Sequence, residues 1–350
     1  MEKMKAWIYH DYKDEEGQPH GRVELTEIDK PICGDDNALL KVDVASICGT
    51  DVGTLKHGGA NHKVFEGMEF GHELCGTIVE TGKDVTDFKV GDRVWPFPMF
   101  VTKAIGQKSG AVGGFSEYVL IENVKKNFSL FSTDGLSNLE ASLIEPFTVG
   151  FHAASRTQPG PGKNALIFGA GCIGIASAVC CAYKGCDKVA IVGRRPDKMR
   201  AAEDLGFKTF STLDANWKDQ VREYFGPGRT FSGQSANINC CIEATANADV
   251  FAEIIPLVNF GCKIGAVSSY DKEIHFNATF LAFAELEILG CAGQRHNDAF
   301  EVIEMMRSKK FDVEKVVNWI GKQEDLMTGV AMMQSGKACK SCIDFTGTYL

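Results

Sequence analysis

At 350 residues the chain is about two domains long at roughly 150 residues per domain, so each half can bury a core without disulfide or metal staples, and a small stapled scaffold is excluded. A formal charge of -9, from 46 acidic and 37 basic residues, leaves no basic stripe for nucleic acid, and no apolar run reaches the ~18 to 20 residues that span a bilayer, so a soluble protein is expected. Thirteen cysteines, an odd number with pairs such as Cys180-Cys181 and Cys240-Cys241 in apolar stretches and no cleavable leader ahead of them, predict reduced thiols and a cytoplasmic location.

From Lys3 to about Phe131 the apolar runs are short and β-rich: 6–9, 39–44, 75–80, 92–95 and 116–121. Gly, Pro, Asn and Asp punctuate them, as in a barrel-like all-β domain. From about Ser155 the texture changes. The strand 165–168 is followed by a small-residue helix over 173–184, then a strand at 189–192 and a helix from Pro196 to near Gly206. A strand over 238–242, a helix over 248–257 and a strand over 262–267 continue the alternation. Strands alternating with helices of roughly ten residues predict a parallel, doubly wound sheet, and hence an α/β chain with a β-rich partner domain. Two amphipathic helices, 299–309 and 324–334, and a strand near 341–345 close the chain.

Directly after the strand 165–168 the sequence reads Gly169-Ala170-Gly171-Cys172-Ile173-Gly174, which is G-x-G-x-x-G at a strand-to-helix junction. The first Gly makes the tight turn, the second lets backbone approach a pyrophosphate, and the third permits close packing of helix on strand. The helix N-terminus then directs free N–H groups and partial positive charge at the phosphates. Nineteen residues past Gly174, where an NAD-selective site places an acid on the ribose 2′-hydroxyl, the chain reads Gly193-Arg194-Arg195-Pro196. A glycine makes room for a 2′-phosphate and two guanidiniums can bind it, so NADP(H) is expected over NAD(H). The plain alternative is that both arginines are solvated at the start of a helix.

The β-rich half carries Cys48-Gly49-Thr50-Asp51 and, further on, Gly71-His72-Glu73, while Glu145-Pro146 precedes the α/β half. A thiolate, an imidazole and carboxylates are ligand types of a catalytic zinc, which keeps one position open. Taken alone these residues also fit a buried small hydrophobe at Cys48 and a surface acid at Glu73.

The three motifs, in that order and ahead of a G-x-G-x-x-G, resemble the zinc-dependent medium-chain alcohol dehydrogenases, in particular the sorbitol and polyol dehydrogenase branch. The turn Gly91-Asp92-Arg93-Val94 and the segment 113–118 extend the resemblance over nearly the whole chain. It implies a GroES-like catalytic domain of residues 1–149 and 293–350, a Rossmann domain of residues 150–292, and an active site in the cleft between them. Carried over, Cys48 and His72 are implied zinc ligands, with Glu73 and Glu145 binding the metal directly or through its water. Asp51 is implied to orient the ligating histidine, and Thr50 to hydrogen-bond the substrate oxygen and start a proton relay. On the cofactor side the resemblance implies Lys198 beside the adenosine ribose and Val149 behind the nicotinamide, with Val267 and residues 169–174 and 193–195 completing the site. A reversible alcohol-to-carbonyl hydride transfer on a secondary alcohol or polyol follows. NAD-linked oxidation of a threonine-like amino-alcohol or a hydroxysteroid, and a metal-free quinone-reductase-like role, are the rival readings.

Two departures stand out. No cysteine lies between Cys75 and Cys172, so the four-cysteine structural zinc of many relatives is not expected and one zinc per chain is. Gly53 stands where liver-type enzymes have a relay histidine, leaving His57, read as a loop residue, or water to carry the proton. Arg295 and His296 fall where polyol dehydrogenases hold substrate hydroxyls, Phe97, Phe100 and Phe115 fit either a pocket mouth or core, His152 fits packing, and Cys339-x-x-Cys342 falls on a terminal strand. Such relatives are homodimers or homotetramers, and a small-molecule substrate is the expected partner.

Overall fold

The computed structural model describes residues 2–103, 112–270 and 272–350, and these form two compact units, Met1–Glu145 with Val317–Leu350 and Pro146–Val316. In the first unit the strands are β1 (Lys3–Lys13), β2 (Pro19–Asp29) and β3 (Ala38–Ser46), followed by helix α1 (Gly49–His57). β4 (Glu73–Thr81), β5 (Arg93–Pro96), β6 (Tyr118–Ile121), β7 (Leu130–Ser132) and the short helix α2 (Asn138–Ser142) come next. Helix α3 (Ile144–Arg156) leads into the second unit. That unit holds β8 (Asn164–Phe168), α4 (Cys172–Tyr183), β9 (Lys188–Gly193), α5 (Pro196–Asp204), β10 (Lys208–Ser211) and α6 (Trp217–Phe225). It continues through β11 (Cys240–Glu243), α7 (Val250–Ile254), β12 (Lys263–Ala266), α8 (Ala278–Phe283), β13 (Glu287–Gly290) and α9 (His296–Arg307). The chain then returns to the first unit with β14 (Val317–Gly321), α10 (Leu326–Ser335) and β15 (Lys340–Asp344).

β1 and β2 form an antiparallel hairpin, and the main sheet of the first unit has the order β14-β15-β3-β4-β5-β7, with β6 also on β3. Three pairings in this sheet position the chemistry. Cys342 of β15 opposes Ser46 at the end of β3, Ser46 opposes Glu73 at the start of β4, and Ile47 N–H donates to Ser341 O at 2.9 Å. Cys48 and His72, just outside these strand ends, and Lys340, the first residue of β15, are thereby gathered at one corner of the sheet. Apolar side chains from β3, β4, β5 and β15, with Phe70 and Phe115, form the core beneath.

The second unit is a six-stranded, all-parallel sheet in the order β10-β9-β8-β11-β12-β13. Numbered from β8 this is 3-2-1-4-5-6, the doubly wound Rossmann order, whose ligand crevice opens where the order reverses, between β8 and β11. Its near-continuous apolar strands, buried at every position of β8 and β11, are what a parallel sheet covered on both faces requires.

The expected return into the first unit at residue 293 is corrected to Val317. Helix α9 stays in the second unit because its inner face is apolar and because Asp298 accepts from His152 Nδ1 on α3 at 2.9 Å. His57 is also corrected, since it is the exposed last residue of α1 and not part of a loop.

Candidate active site

Cys48 caps α1, and the helix begins there because Asp51, three residues on, turns its carboxylate back onto the free backbone N–H of Cys48 at 2.9 Å. The other oxygen of Asp51 faces His72 Nδ1 at 3.3 Å, both side chains being buried. With Nδ1 turned towards Asp51 but not hydrogen-bonded to it, Nε2 would be the nitrogen left for a metal. Ligand atoms of Cys48, His72 and Glu73 lie within 4.8 Å of one another, the one such group of three among the described residues. Glu73, fully buried, has one oxygen held by Ser46 Oγ and Lys340 Nζ and the other, Oε1, without a hydrogen-bond partner. A buried carboxylate oxygen with nothing to bind, beside a thiol and an imidazole, is what a divalent cation would complete, so the donor set fits zinc. The surface-acid reading of Glu73 is thereby removed.

The electrostatics agree. In the metal-free chain burial pushes the Cys48 thiol up, and the Glu73 carboxylate adds to that. Burial works against a charged His72, yet Asp51 and Cys48 outweigh it and hold the imidazole well above its ordinary range. Glu145, in the first turn of α3, lies outside the group of three but shares its field. Burial and Glu73 push its carboxyl up to about 7, against His72 and Lys340. Thr50 is half-buried in the first turn of α1. The imidazole beside Gly53 is that of His62, whose Cε1 would meet a Cβ at position 53 at 3.5 Å. Its Nδ1 is 2.8 Å from Thr54 Oγ1, and burial lowers its proton affinity.

In the second unit Gly169 takes φ +112° and a Cβ at Gly174 would fall 1.8 Å from Gly169 O, so the turn and the first turn of α4 close onto each other only without a side chain there. At Gly171, which caps α4, a Cβ would meet nothing within 4 Å, and this open face is where a pyrophosphate would approach the backbone. Cys172 is buried and Ile173 half-buried, so a phosphate at this turn would meet their backbone N–H groups. Val149 on α3 and Val267, whose N–H donates to Glu243 O at 3.2 Å just past β12, are both half-buried. Gly193 ends β9 and has a packing reason of its own, because a Cβ there would meet Met199 Cγ at 2.7 Å. Arg194 and Arg195 follow it, exposed, and Lys198 is half-buried on α5.

Other expectations resolve as structure. Phe97 and Phe115 are core residues, Phe97 packed at a tilt on Trp95 and Phe131 and Phe115 on Phe70, and Phe100 packs on Phe97 and Phe128. Cys339 and Cys342 are buried. Arg295 caps α9 with its guanidinium on Gln294 O at 3.0 Å, and His296 follows it. The residues that motif reading missed are Lys340 and Ser46. Lys340 is 2% exposed and also donates to Ile47 O at 3.0 Å. A lysine in an apolar terminal run gave one available signal, since a buried ammonium requires a carboxylate.

Two family profiles match the chain, "Alcohol dehydrogenase GroES-like domain" over residues 34–128 and "Zinc-binding dehydrogenase" over residues 172–308. The sorbitol dehydrogenase of Bacillus subtilis is 27% identical over 83% of this chain and 82% of its own length. An L-threonine 3-dehydrogenase of Aliivibrio fischeri is 25% identical over 98% of this chain and 100% of its own. The 2R,3R-butanediol dehydrogenase of Bacillus subtilis shares the fold, with a TM-score of 0.82 at 24% identity over 97% of this chain and 99% of that one. The chain belongs to the zinc-dependent medium-chain alcohol dehydrogenase family and is an oxidoreductase of alcohols.

Proposed function

We propose that the protein is a zinc-dependent, NADP(H)-preferring dehydrogenase of a secondary alcohol or polyol and its ketone, with one zinc per chain. The observation that carries this reading is the buried group Cys48, His72 and Glu73 with its unpartnered Glu73 oxygen. Zinc, when bound, supplies a Lewis acid that makes an alcohol acidic near neutral pH and polarises a ketone, and the nicotinamide supplies the hydride acceptor or donor. Asp51 fixes the tautomer and angle of His72, and Lys340 offsets the charge that Glu73 brings into the site. Thr50 hydrogen-bonds the substrate oxygen and takes up its proton. His62, whose ring lies against the face of α1 that carries Thr50, Gly53 and Thr54, supplies the neutral imidazole that receives it, in place of the side chain missing at Gly53. On the cofactor side Gly171 admits the pyrophosphate, and Arg194 and Arg195 hold the 2′-phosphate by charge-assisted hydrogen bonds.

Zinc content and cofactor kinetics test the reading together. Freshly purified, unchelated protein is expected to hold one zinc per chain, Cys48→Ser to lose it, and kcat/KM to be higher with NADP(H) than with NAD(H). Absence of zinc sinks the mechanism, and equal or better turnover with NAD(H) sinks the cofactor assignment. A panel of alcohols and ketones followed by cofactor absorbance separates a polyol from the amino-alcohol that the match to an L-threonine 3-dehydrogenase raises.

A further inference from the structure

Glu243 is the last residue of β11, and its carboxylate is fully buried at the end of an otherwise apolar strand. One oxygen accepts from Thr245 N–H at 2.6 Å and from Thr245 Oγ1, and the other accepts from Tyr270 Oη. Among the described residues no cationic side chain pairs with it, so hydroxyl and amide donors alone hold it. A carboxylate costs free energy in such a place, and an apolar side chain would serve the strand as well. What the carboxylate adds is the fixing of the groups that donate to it.

Those groups belong to two loops. Thr245 Oγ1 also accepts from Asn247 N–H at 3.1 Å, and Ala246 between them takes φ +60°, a left-handed conformation that costs a residue with a Cβ and persists only where its surroundings impose it. Ala246 N–H donates to Ser268 Oγ at 3.1 Å and Val267 N–H to Glu243 O at 3.2 Å, so residues 244–247 after β11 are joined to residues 267–270 after β12. The Tyr270 ring is set edge-on to buried Phe251, with centroids 5.8 Å apart. Burial first, then the hydrogen bond and charge of Glu243, raise the Tyr270 phenol above its ordinary range, so it keeps its proton as a donor. The loop after β11 also rests on the dinucleotide turn. Ala244 N–H donates to Phe168 O at 2.8 Å, and a Cβ at Gly169 would fall 2.6 Å from Ala244 O. Both loops thus lie at the strand ends beside the crevice where the sheet order reverses.

We propose that Glu243 and Tyr270 are positioning residues for the dinucleotide cofactor, a clamp that locks the loops after β11 and β12 into one wall beside the glycine turn. The inference rests on the reading of that crevice as a nicotinamide dinucleotide site. Neither side chain has to touch the cofactor. Their contact holds the loops in place before binding, so the cofactor does not have to order them, and affinity rises by the ordering cost avoided.

The test measures the dissociation constants of NADPH and NADH from the full-length protein by the change in nicotinamide fluorescence, for the native sequence, Tyr270→Phe and Ser268→Ala. Tyr270→Phe removes the hydroxyl and keeps the ring on Phe251, and is expected to raise both constants about 5- to 20-fold. The factor is the same for each cofactor because the clamp joins the ends of β11 and β12, whereas Arg194 and Arg195 follow β9. In turnover the KM for cofactor is expected to rise with the dissociation constant, while kcat at saturating cofactor and the KM for alcohol stay within about twofold. A purely structural pair would instead lower the melting temperature and kcat and leave the dissociation constants unchanged, and that result overturns the proposal. Ser268→Ala, at a half-buried position, frees the Ala246 N–H and is expected to weaken both cofactors in the same direction. Should Tyr270→Phe not fold, this second variant decides, and native affinity in it refutes the clamp. Native protein that binds neither dinucleotide overturns the reading of the crevice, whereas native binding left unchanged by the variants overturns the clamp alone.

Discussion

The Lys340–Glu73 ion pair is the residue-scale feature with the largest energetic consequence. Both side chains are essentially removed from water, at 2% and 0% exposure, so loss of one partner strands the other's charge. Lys340→Met is expected to lower stability by about 3–5 kcal/mol in denaturant titration, and the double variant Lys340→Met/Glu73→Gln to recover most of it, because the neutral pair no longer carries a buried charge. Full stability of the single variant would show that water or Ser46 suffices for Glu73. Arg194 and Arg195 make the opposite case, since they are exposed and no ion pair or side-chain hydrogen bond holds them among the described residues. Replacing both by Ala is therefore expected to leave stability unchanged while raising KM for NADPH about 10- to 100-fold, the span of a charge-assisted contact of roughly 1.5–3 kcal/mol. An equal rise for NADH would show that they do not read the 2′-phosphate. Cys48, His72 and Glu73 were legible as ligand types, but Lys340 was not. Its role depends on a strand pairing with β3 that places it some 270 residues along the chain from Glu73, a distance no local motif spans.

At the scale of elements, helix α1 links sequence to metal geometry. Asp51 closes the helix start on Cys48 N–H and faces His72, so one carboxylate bears on both the path of the backbone and the placing of a candidate ligand. Asp51→Asn keeps a side chain able to cap, so α1 is expected to form, while the weakened hold on His72 lowers zinc affinity about 10- to 100-fold, measurable by competition with a chelator. Unchanged affinity would remove Asp51 from the metal site. The strands of the β-rich half were readable from their alternation, and β8, α4, β9 and α5 fall within a few residues of the reading. Helix α1 was not anticipated, because Gly49 and Gly53 are poor helix formers and it has little apolar periodicity. It is held by its cap and by packing of Leu55 into the core. His62 went unread for a related reason, since only the turn after α1 carries its ring to the space beside Gly53.

For the whole molecule, the candidate metal site draws on β3, α1, β4 and β15, so the residues proposed to hold zinc would tie both ends of the first unit together. Removing zinc with a chelator is expected to lower the melting temperature, and restoring it to about 100 times its Kd to return roughly 2.7 kcal/mol. Because Cys48 and His72 both hold their protons more tightly than usual in the metal-free chain, zinc binding must release protons and its affinity must rise with pH. A melting temperature indifferent to zinc would mean that zinc does not bind the folded chain in preference to the unfolded one. The sequence by itself determined the α/β class, the glycine turn, the ligand types and the absence of a cysteine quartet, because each depends on residue identity and short spacing. Only the tertiary structure decided that α9 stays with the Rossmann sheet, that Glu73 is paired with Lys340, and that Gly193 is also a packing glycine. Each of these depends on contacts between residues distant in the chain, which strand order and helix packing create and local pattern does not record.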